Sequence, residues 1–176
     1  TIIQWNPLEN KYKEKSLSEC HWAWEILVEP LQDNSPIPLH YSKLPEYPKY
    51  SITLKWHQHS CDLFLGVPIN IAYYSYLTYI LGGLTNTIPK GIIGDLSNVH
   101  IYEPHMKAVN KQLANDPNLY PNLDFNLSEQ HLNLLGDKSM KLESKLDKLI
   151  GTRKELIVDS YKSYPPIKAD MIPYDE

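Results

Sequence analysis

The chain has 176 residues, a formal net charge of -4 and 42% hydrophobic residues, which favours one ordinary domain with its own core. Of its 17 basic residues only Arg153 is an arginine, and this scarcity together with the acidic balance argues against a nucleic-acid-binding surface. The two cysteines, Cys20 and Cys61, are too few for a disulfide framework and favour a reducing compartment, which we expect to be the cytoplasm.

No segment of the sequence has the features of a signal peptide or a membrane span. The longest apolar stretch, residues 67–84, is interrupted by Asn70, Ser75, Thr78 and four tyrosines. A bilayer span would carry fewer polar groups. We therefore expect neither a membrane nor a nucleic acid among the partners of this chain.

Two strands are predicted in the first third of the chain. Residues 21–29 are dense in aromatic and β-branched side chains, and residues 51–59 alternate apolar with polar side chains. Both patterns are typical of strands, and we expect the two strands to pair antiparallel. The intervening residues 30–50 contain five prolines and are predicted to form a long loop, either functional or inserted.

A buried helix is predicted to follow these strands. Pro68 suits the first turn of a helix that reaches Leu81, and Gly82 and Gly83 are expected to end it. The segment is apolar nearly all round, which predicts burial on every side. Further elements are predicted as a helix opened by Glu103 and Pro104, helices over 128–136 and 138–150, and a last strand over 155–161.

Cys20 is the first residue with possible chemistry. A lone cysteine is commonly a small buried apolar residue. Cys20, however, stands where a polar segment meets an aromatic strand, so its thiol can be partly exposed beside His21. A neighbouring cation or helix N-terminus at such a place lowers a thiol pKa into the reactive range, which makes Cys20 a candidate nucleophile.

Polar residues are concentrated at 57–62 (HQHSCD) and again at 94–102. On an extended strand, His57, His59 and Cys61 would share one face, but their spacing is not that of a common zinc motif, so we expect no metal. The opposite face carries only hydrogen-bonding groups, which suits a polar ligand. His100 and Tyr102 alternate on a second extended segment, where they either contact a ligand or merely cover a strand end.

Five blocks, taken in chain order, resemble the folate-dependent thymidylate synthase family, which includes the pyrimidine nucleotide hydroxymethylases. They are IIxWNP at 2–7, CH at 20–21, QxSCDLFLGVPxNIA at 58–72, GD and HIY at 94–95 and 100–102, and YPPIKA at 164–169. The resemblance covers residues 1 to about 125 and about 155 to 172. The block at 61–72 is long and specific, and chance is a poor explanation for it.

The resemblance implies a fold and an organisation. The fold class would be α/β (α+β), with a large mixed sheet backed by helices in one catalytic domain over residues 1–176, and with insertions at 30–50 and 126–153. Such proteins form homodimers whose sheets stack. The family's N-terminal part, with its phosphate-binding arginines, has no counterpart here, so we expect the chain to be the C-terminal part of a longer protein.

The resemblance also implies an activity: the transfer of a one-carbon unit from 5,10-methylenetetrahydrofolate to C5 of dUMP, which gives dTMP. A pyrimidine nucleotide hydroxymethylase and a diverged, non-catalytic nucleotide-binding homologue remain alternatives. Cys20 would add to C6 of the uracil ring. Catalytic roles carry over to Cys20, Asn70 and Asp62, nucleotide binding to Gln58, His59, Ser60, Asn70, His100 and Tyr102, and folate binding to Asp62, Leu65 and Gly66.

The sequence departs from the family pattern at three places near these residues. His59 replaces an arginine that holds the nucleotide phosphate and helps to keep the thiol ionised, and histidine can do either only when it is protonated. Glu19 stands where the family has proline, and its carboxylate would raise the pKa of Cys20 if it pointed towards the thiol. Three extra residues lie between Asp95 and His100.

Overall fold

The computed structural model describes residues 1–3, 20–32, 47–117, 133–134, 137, 139–151 and 163–172 of the chain. These residues contain six strands, a 3-10 turn and three longer helices. In chain order they are β1 (Ile2–Ile3), β2 (His21–Pro30), β3 (Tyr50–Gln58), β4 (Cys61–Asp62), α1 (Gly66–Thr85), β5 (Ile88–Leu96), β6 (Val99–His100), the 3-10 turn Glu103–His105, α2 (Met106–Leu113) and α3 (Leu142–Gly151).

Four of the strands form a mixed sheet in the order β1-β2-β3-β5. The strand β2 runs antiparallel to both β1 and β3, which confirms the antiparallel pairing predicted for the first two long strands. The strand β5 runs parallel to β3 and is reached through α1. The short strands β4 and β6 pair parallel in a second, two-stranded sheet. The predicted α/β class with a mixed sheet backed by helices is confirmed.

The core lies between α1 and one face of the four-stranded sheet. Leu54 and Trp56 point to this face from alternate positions of β3, and both are buried against Tyr74 of α1. The Trp56 and Tyr74 rings stack with centroids 5.0 Å apart. A methyl group added at Gly94 of β5 would lie 2.5 Å from the nearest Trp56 ring atom, so the indole occupies the space that a side chain at position 94 would need.

The boundaries predicted for α1 were wrong at its C-terminal end. Gly82 and Gly83 do not end the helix but lie buried within its last turn, and the chain leaves through Asn86, whose φ is 53°. A Cβ at Gly82 would lie 2.8 Å from a Pro89 side-chain atom and 2.9 Å from the Thr87 carbonyl oxygen. The glycine therefore permits close packing of the helix on the start of β5, and Asn86 supplies the left-handed turn.

Burial of α1 on every side was also wrong. Its inward side is buried, but Ile69, Ile71 and Tyr73 are 69%, 45% and 53% exposed in this chain. An apolar composition alone does not show which side of a helix another element covers. No helix among the described residues is both long enough and apolar enough to cross a bilayer.

The remaining predictions had different outcomes. The helix opened by Glu103 and Pro104 is confirmed as the 3-10 turn continued by α2, whereas the strand β5 was not predicted. The helix predicted over 138–150 is observed as Leu142–Gly151. The 155–161 strand, most of the 128–136 helix, residues 33–46 of the 30–50 insertion and much of the 126–153 insertion lie outside the described residues.

The outer face of the sheet carries a cluster of four ionisable side chains, one or two from each of three neighbouring strands. His57 lies 3.3 Å from the Glu25 carboxylate and 3.1 Å from that of Asp95. Lys55 lies 3.8 Å from both carboxylates. Trp22 covers one side of the group, with its ring centroid 4.9 Å from that of His57. This face is thus partly charged, whereas the face towards α1 is apolar.

Tyr74 should make the stability of the fold sensitive to alkali. Burial, with a smaller contribution from Tyr73, raises the pKa of Tyr74 to about 12, so the folded chain keeps the neutral phenol. The unfolded phenol ionises near ~10. The stabilisation is therefore present below about pH 10 and is lost as pH rises towards 12. Urea titrations between pH 10 and 12 should show a smaller loss of unfolding free energy in Tyr74→Phe than in the unmodified protein. An identical loss in the two proteins would contradict the raised pKa of Tyr74.

Candidate active site

The residues with candidate roles gather where β3 ends. Because β2 begins beside that end, the pairing of His21 with Gln58 brings Cys20 next to His59. The His59 backbone N–H donates a 3.0 Å hydrogen bond to the Cys20 carbonyl oxygen. The candidate nucleophile and the residue that replaces the family arginine are therefore neighbours, although 38 positions separate them in the sequence.

Gln58 is held in place before any ligand arrives. Its side chain is almost fully buried, its Oε1 accepts a 3.3 Å hydrogen bond from the Trp56 indole, and its Nε2 donates to the Ser60 carbonyl oxygen at 2.9 Å. The Gln58 backbone carbonyl also accepts from the Ser97 N–H at 2.9 Å. These bonds orient Gln58 and shape the turn that leads to Ser60, so the core and the candidate site share one polar connection.

A second group surrounds the N-terminus of α1. The strand β4 ends at Asp62, whose Oδ1 accepts a 3.0 Å hydrogen bond from the Phe64 N–H. A Cβ at Gly66 would lie 3.6 Å from Asp62 Cβ and 3.9 Å from Asn70 Oδ1, so these three residues adjoin. Leu65 directly precedes Gly66, the first residue of the helix.

The pairing of β4 with β6 adds His100 to this group. Asp62 pairs with His100, and the His100 carbonyl oxygen accepts a 2.9 Å hydrogen bond from the Leu63 N–H. His100 Nδ1 lies 2.8 Å from the Asn98 carbonyl oxygen, and since a carbonyl only accepts, Nδ1 carries the proton. Nε2 is then available to a ligand. The Tyr102 ring meets that of His100 edge-on at 4.9 Å.

The side chain of His21 packs against Tyr74 of α1. Its Nδ1 lies 2.7 Å from the Tyr74 hydroxyl, and the rings are 5.5 Å apart. Burial lowers the pKa of His21, which favours the neutral ring at neutral pH. A neutral imidazole does not stabilise a thiolate by charge. A cation that stabilises a thiolate at Cys20 would therefore have to come from another residue.

The two cysteines differ in accessibility. Cys20 is partly exposed, whereas Cys61 is fully buried, and neither forms a disulfide. Burial raises the pKa of Cys61, and the proximity of Cys20 raises it further against a smaller lowering by the Ser97 backbone N–H. The Cys61 thiol donates to the Gln58 carbonyl oxygen at 3.6 Å. Cys61 is thus a neutral core thiol close to Cys20.

This difference predicts selective labelling. Iodoacetamide should alkylate Cys20 in the folded protein and leave Cys61 unmodified until the chain is unfolded, because only accessible thiolates react. Peptide mass spectrometry reads both sites. A Cys20→Ser variant should then show no labelling at either position when folded, and rapid alkylation of Cys61 in that variant would contradict the assignment.

His57 does not belong to this site. The strand β3 ends at Gln58, so the alternation expected over 57–62 is interrupted, and His57 contacts Glu25 and Asp95 on the outer face of the sheet. Within the described ranges no three His, Cys, Asp or Glu side chains are grouped as metal ligands. Sequence reasoning missed two residues that position the site: Trp56, which donates to Gln58, and Tyr74, whose hydroxyl contacts His21. Both follow the ordinary apolar pattern of the core, so no signal in the sequence distinguished them.

The assembled groups suit addition chemistry on a polar ring. A partly exposed thiol stands beside the turn after β3, and an amide on α1, a carboxylate on β4 and an imidazole acceptor on β6 form the group at the start of α1. Cys61, which is close to Cys20 and directly precedes Asp62, connects the two groups. The amide belongs to Asn70, whose donor and acceptor match the N3 and O4 edge of a uracil. Such a set can hold a planar heterocycle while a nucleophile attacks it.

Comparisons with known proteins show which family this chain resembles. The family model described as Thymidylate synthase matches residues 1–173. The thymidylate synthase of Malacoplasma penetrans is 32% identical over 167 residues, which are 95% of this chain and 45% of that protein. That of Enterobacteria phage T4 is 31% identical over 173 residues, 97% of this chain and 51% of that protein.

A solved structure extends the likeness to three dimensions. The crystal structure of thymidylate synthase from T4 phage matches with a TM-score of 0.71 at 28% identity, over 97% of this chain and 51% of that chain. The chain described here thus spans about half the length of the relatives it matches.

Proposed function

This chain belongs to the thymidylate synthase family, and on that premise we propose that it supplies the thiol and the uracil-binding edge for transfer of a one-carbon unit to C5 of dUMP. The observation that supports the proposal is the position of Cys20 close to Cys61, directly before Asp62, which in turn adjoins Asn70. The co-substrate, 5,10-methylenetetrahydrofolate, supplies the carbon and the hydride that together make the methyl group of dTMP.

Cys20 acts as the nucleophile in this proposal. Its sulfur forms a bond to C6 of the uracil ring, and the electron pair of the C5–C6 bond moves towards O4. Asn70 donates a hydrogen bond to O4 as negative charge develops there and accepts one from N3–H. When the product forms, the carbon–sulfur bond breaks and the thiolate is restored. Cys61 takes no part, because it is buried and protonated.

The other residues position the two substrates. Ser60 and His59 lie in the turn after β3, where their hydroxyl and imidazole groups suit a nucleotide phosphate, and the buried amide of Gln58, which donates to the Ser60 carbonyl oxygen, positions that turn. His100 and Tyr102 offer hydrogen bonds to the sugar. Asp62 lies beside Gly66 at the start of α1, and with Leu65 it forms the edge at which a pterin would dock. No metal is required at any of these contacts.

The test of the proposal is tritium release from dUMP labelled at C5. The full-length protein, incubated with methylenetetrahydrofolate, should release tritium to water and produce dTMP. The mass of the product separates methylation from hydroxymethylation. Absence of release together with absence of a covalent adduct with 5-fluoro-dUMP would refute the enzymatic proposal.

His59 should contribute to nucleotide binding at the phosphate. His59→Arg should tighten the binding of dUMP, because a guanidinium is always charged and can donate two hydrogen bonds to one phosphate. His59→Ala should weaken the binding of dUMP, because it removes the imidazole. The measurement is calorimetric titration of the three proteins with dUMP. Equal affinity in all three would show that His59 holds no phosphate.

We also propose a homodimer formed by the outer face of the sheet, in the cytoplasm. Leu27 and Ile93 are 44% and 45% exposed on this face. They flank the cluster of Glu25, Lys55, His57 and Asp95, whose opposite charges already satisfy one another. Apolar area with internally paired charges favours burial against a second copy. The two thiols without a disulfide support a reducing compartment.

A further inference from the structure

A cavity lies between α2 and the extended segment 163–172. Its volume is about 600 Å³, which is within the range of small-molecule sites. One wall is the first part of α2 with the turn before it, and the other is formed by residues 166–172. None of the ten residues assigned above to catalysis, nucleotide or folate lines it.

The two walls are joined by a hydrogen bond. His105 lies at the entry to α2, is 3% exposed and is packed between the Phe64 and Tyr102 rings at 5.5 Å and 5.8 Å. Its Nε2 donates to the Asp170 carbonyl oxygen at 2.7 Å. Because this bond joins residues that are far apart in the sequence, it fixes the distance between the walls. The cavity is thus formed without a ligand.

The lining combines positive charge with apolar surface. Lys107 and Lys111 stand one helical turn apart on α2 and so face the same side, and Lys168 comes from the opposite wall. None of the three has an ion-pair partner among the described residues. Asp170 also lines the cavity. The three ammonium groups and one carboxylate leave a local charge of about two positive units in a chain whose net charge is -4.

Between the charges the lining is apolar. Pro104, Ala108, Ile167 and Ile172 provide hydrocarbon surface on both walls. A fully hydrated inorganic ion would leave this apolar surface in contact with water, whereas a molecule with a hydrocarbon body would remove it from water, which is favourable. Lysine is a flexible point charge, so three of them accommodate separated anionic groups rather than one fixed geometry.

We propose that this cavity is a second ligand site, which binds a small molecule with an apolar body and two negatively charged groups. The lysines from α2 hold one anionic group and Lys168 the other. His105 is a positioning residue, since it sets the separation of the walls and does not need to touch the ligand. The site is independent of the proposed turnover, so it can be tested by binding alone.

The test uses calorimetric titration of the full-length protein with naphthalene-1,5-disulfonate, and with naphthalene-1-sulfonate as the monoanion of the same body. We expect the dianion to bind at least about fivefold more tightly, and the difference to shrink with added salt. Lys107→Gln, Lys111→Gln and Lys168→Gln should each weaken binding of the dianion about threefold to tenfold. Lys49→Gln, which removes an exposed lysine just before β3, should leave it unchanged.

Asp170→Asn provides a test of the opposite sign. It removes the one carboxylate of the lining and should tighten binding of the dianion, which damage to the fold would not do. Equal affinity for the dianion and the monoanion would overturn the proposal. So would a loss of dianion affinity in Lys49→Gln as large as that in the three variants of the lining lysines. Competition by dUMP, or loss of binding in His59→Gln, would also overturn it by placing the probe in the nucleotide site. The proposed transferase activity would stand in each case.

Discussion

Replacing Cys20 by serine should lower tritium release from C5-labelled dUMP by at least about a thousandfold. A serine hydroxyl is hardly ionised at neutral pH and is a far weaker nucleophile than a thiolate, so the bond to C6 does not form. No other group in the described site can substitute for it, because Cys61 is fully buried and its pKa is raised. The assay uses the full-length protein with saturating methylenetetrahydrofolate.

The matched control for this variant is Cys61→Ser. Serine at position 61 retains a donor for the Gln58 carbonyl oxygen, which accepts from the thiol at 3.6 Å. We expect Cys61→Ser to form the covalent adduct with 5-fluoro-dUMP, detected by intact mass, and Cys20→Ser to form none. An adduct that disappears in Cys61→Ser but persists in Cys20→Ser would exchange the roles of the two cysteines.

The largest effect on stability is expected for Gly94→Ala, about 1–3 kcal/mol of unfolding free energy. The added methyl group would lie 2.5 Å and 2.6 Å from two atoms of the Trp56 ring, so the indole must move. It has little freedom to do so, since it is 3% exposed and stacked on Tyr74. Urea unfolding followed by tryptophan fluorescence and circular dichroism measures the change.

Gly91→Ala is the same substitution in the same strand and serves as its control. A Cβ at Gly91 has no atom within 4 Å, and neither glycine has a positive φ, so backbone strain is excluded in both. We expect its effect to stay within about 0.5 kcal/mol. Equal losses in the two variants would mean that the cost comes from the strand backbone and not from the packing of Trp56.

Gly94→Ala should also affect the active site indirectly. Trp56 Nε1 donates to Gln58 Oε1 at 3.3 Å, and Gln58 in turn fixes the turn to Ser60. A displaced indole weakens the first of these bonds. We therefore expect weaker dUMP binding in the folded variant, and a smaller effect on the covalent step at Cys20, which lies on the neighbouring strand.

The sequence was most informative where a pattern of side chains is compatible with only one kind of local structure. Alternation over 51–59 and the dense aromatic run over 21–29 predicted the antiparallel pairing of β2 with β3, whereas the register that brings Cys20 beside His59 was seen only in the structure. The motif order gave the family. The glycines at 82 and 83 misled, because glycine serves equally as a helix terminator and as a site of close packing, and only the position of Pro89 distinguishes the two.

Other features depended on contacts between distant residues. The strand β5 has three of its nine positions as Gly or Pro, a composition that argues against a strand until its pairing with β3 is known. The exposure of Ile69 and Tyr73 could not be read from an apolar segment, since burial depends on what covers it. The hydrogen bond between His105 and Asp170 joins two motifs that local patterns treat separately.

The short sheet of β4 and β6 lets the chain length vary near the site without moving His100. Asn98, with φ 48°, turns the chain so that the extra residues after Asp95 are taken up before Val99 pairs with Cys61. The position of His100 beside Asp62 is set by this pairing and not by the length of the connection that precedes it. The connection can therefore differ in length between relatives while the two residues stay opposite each other.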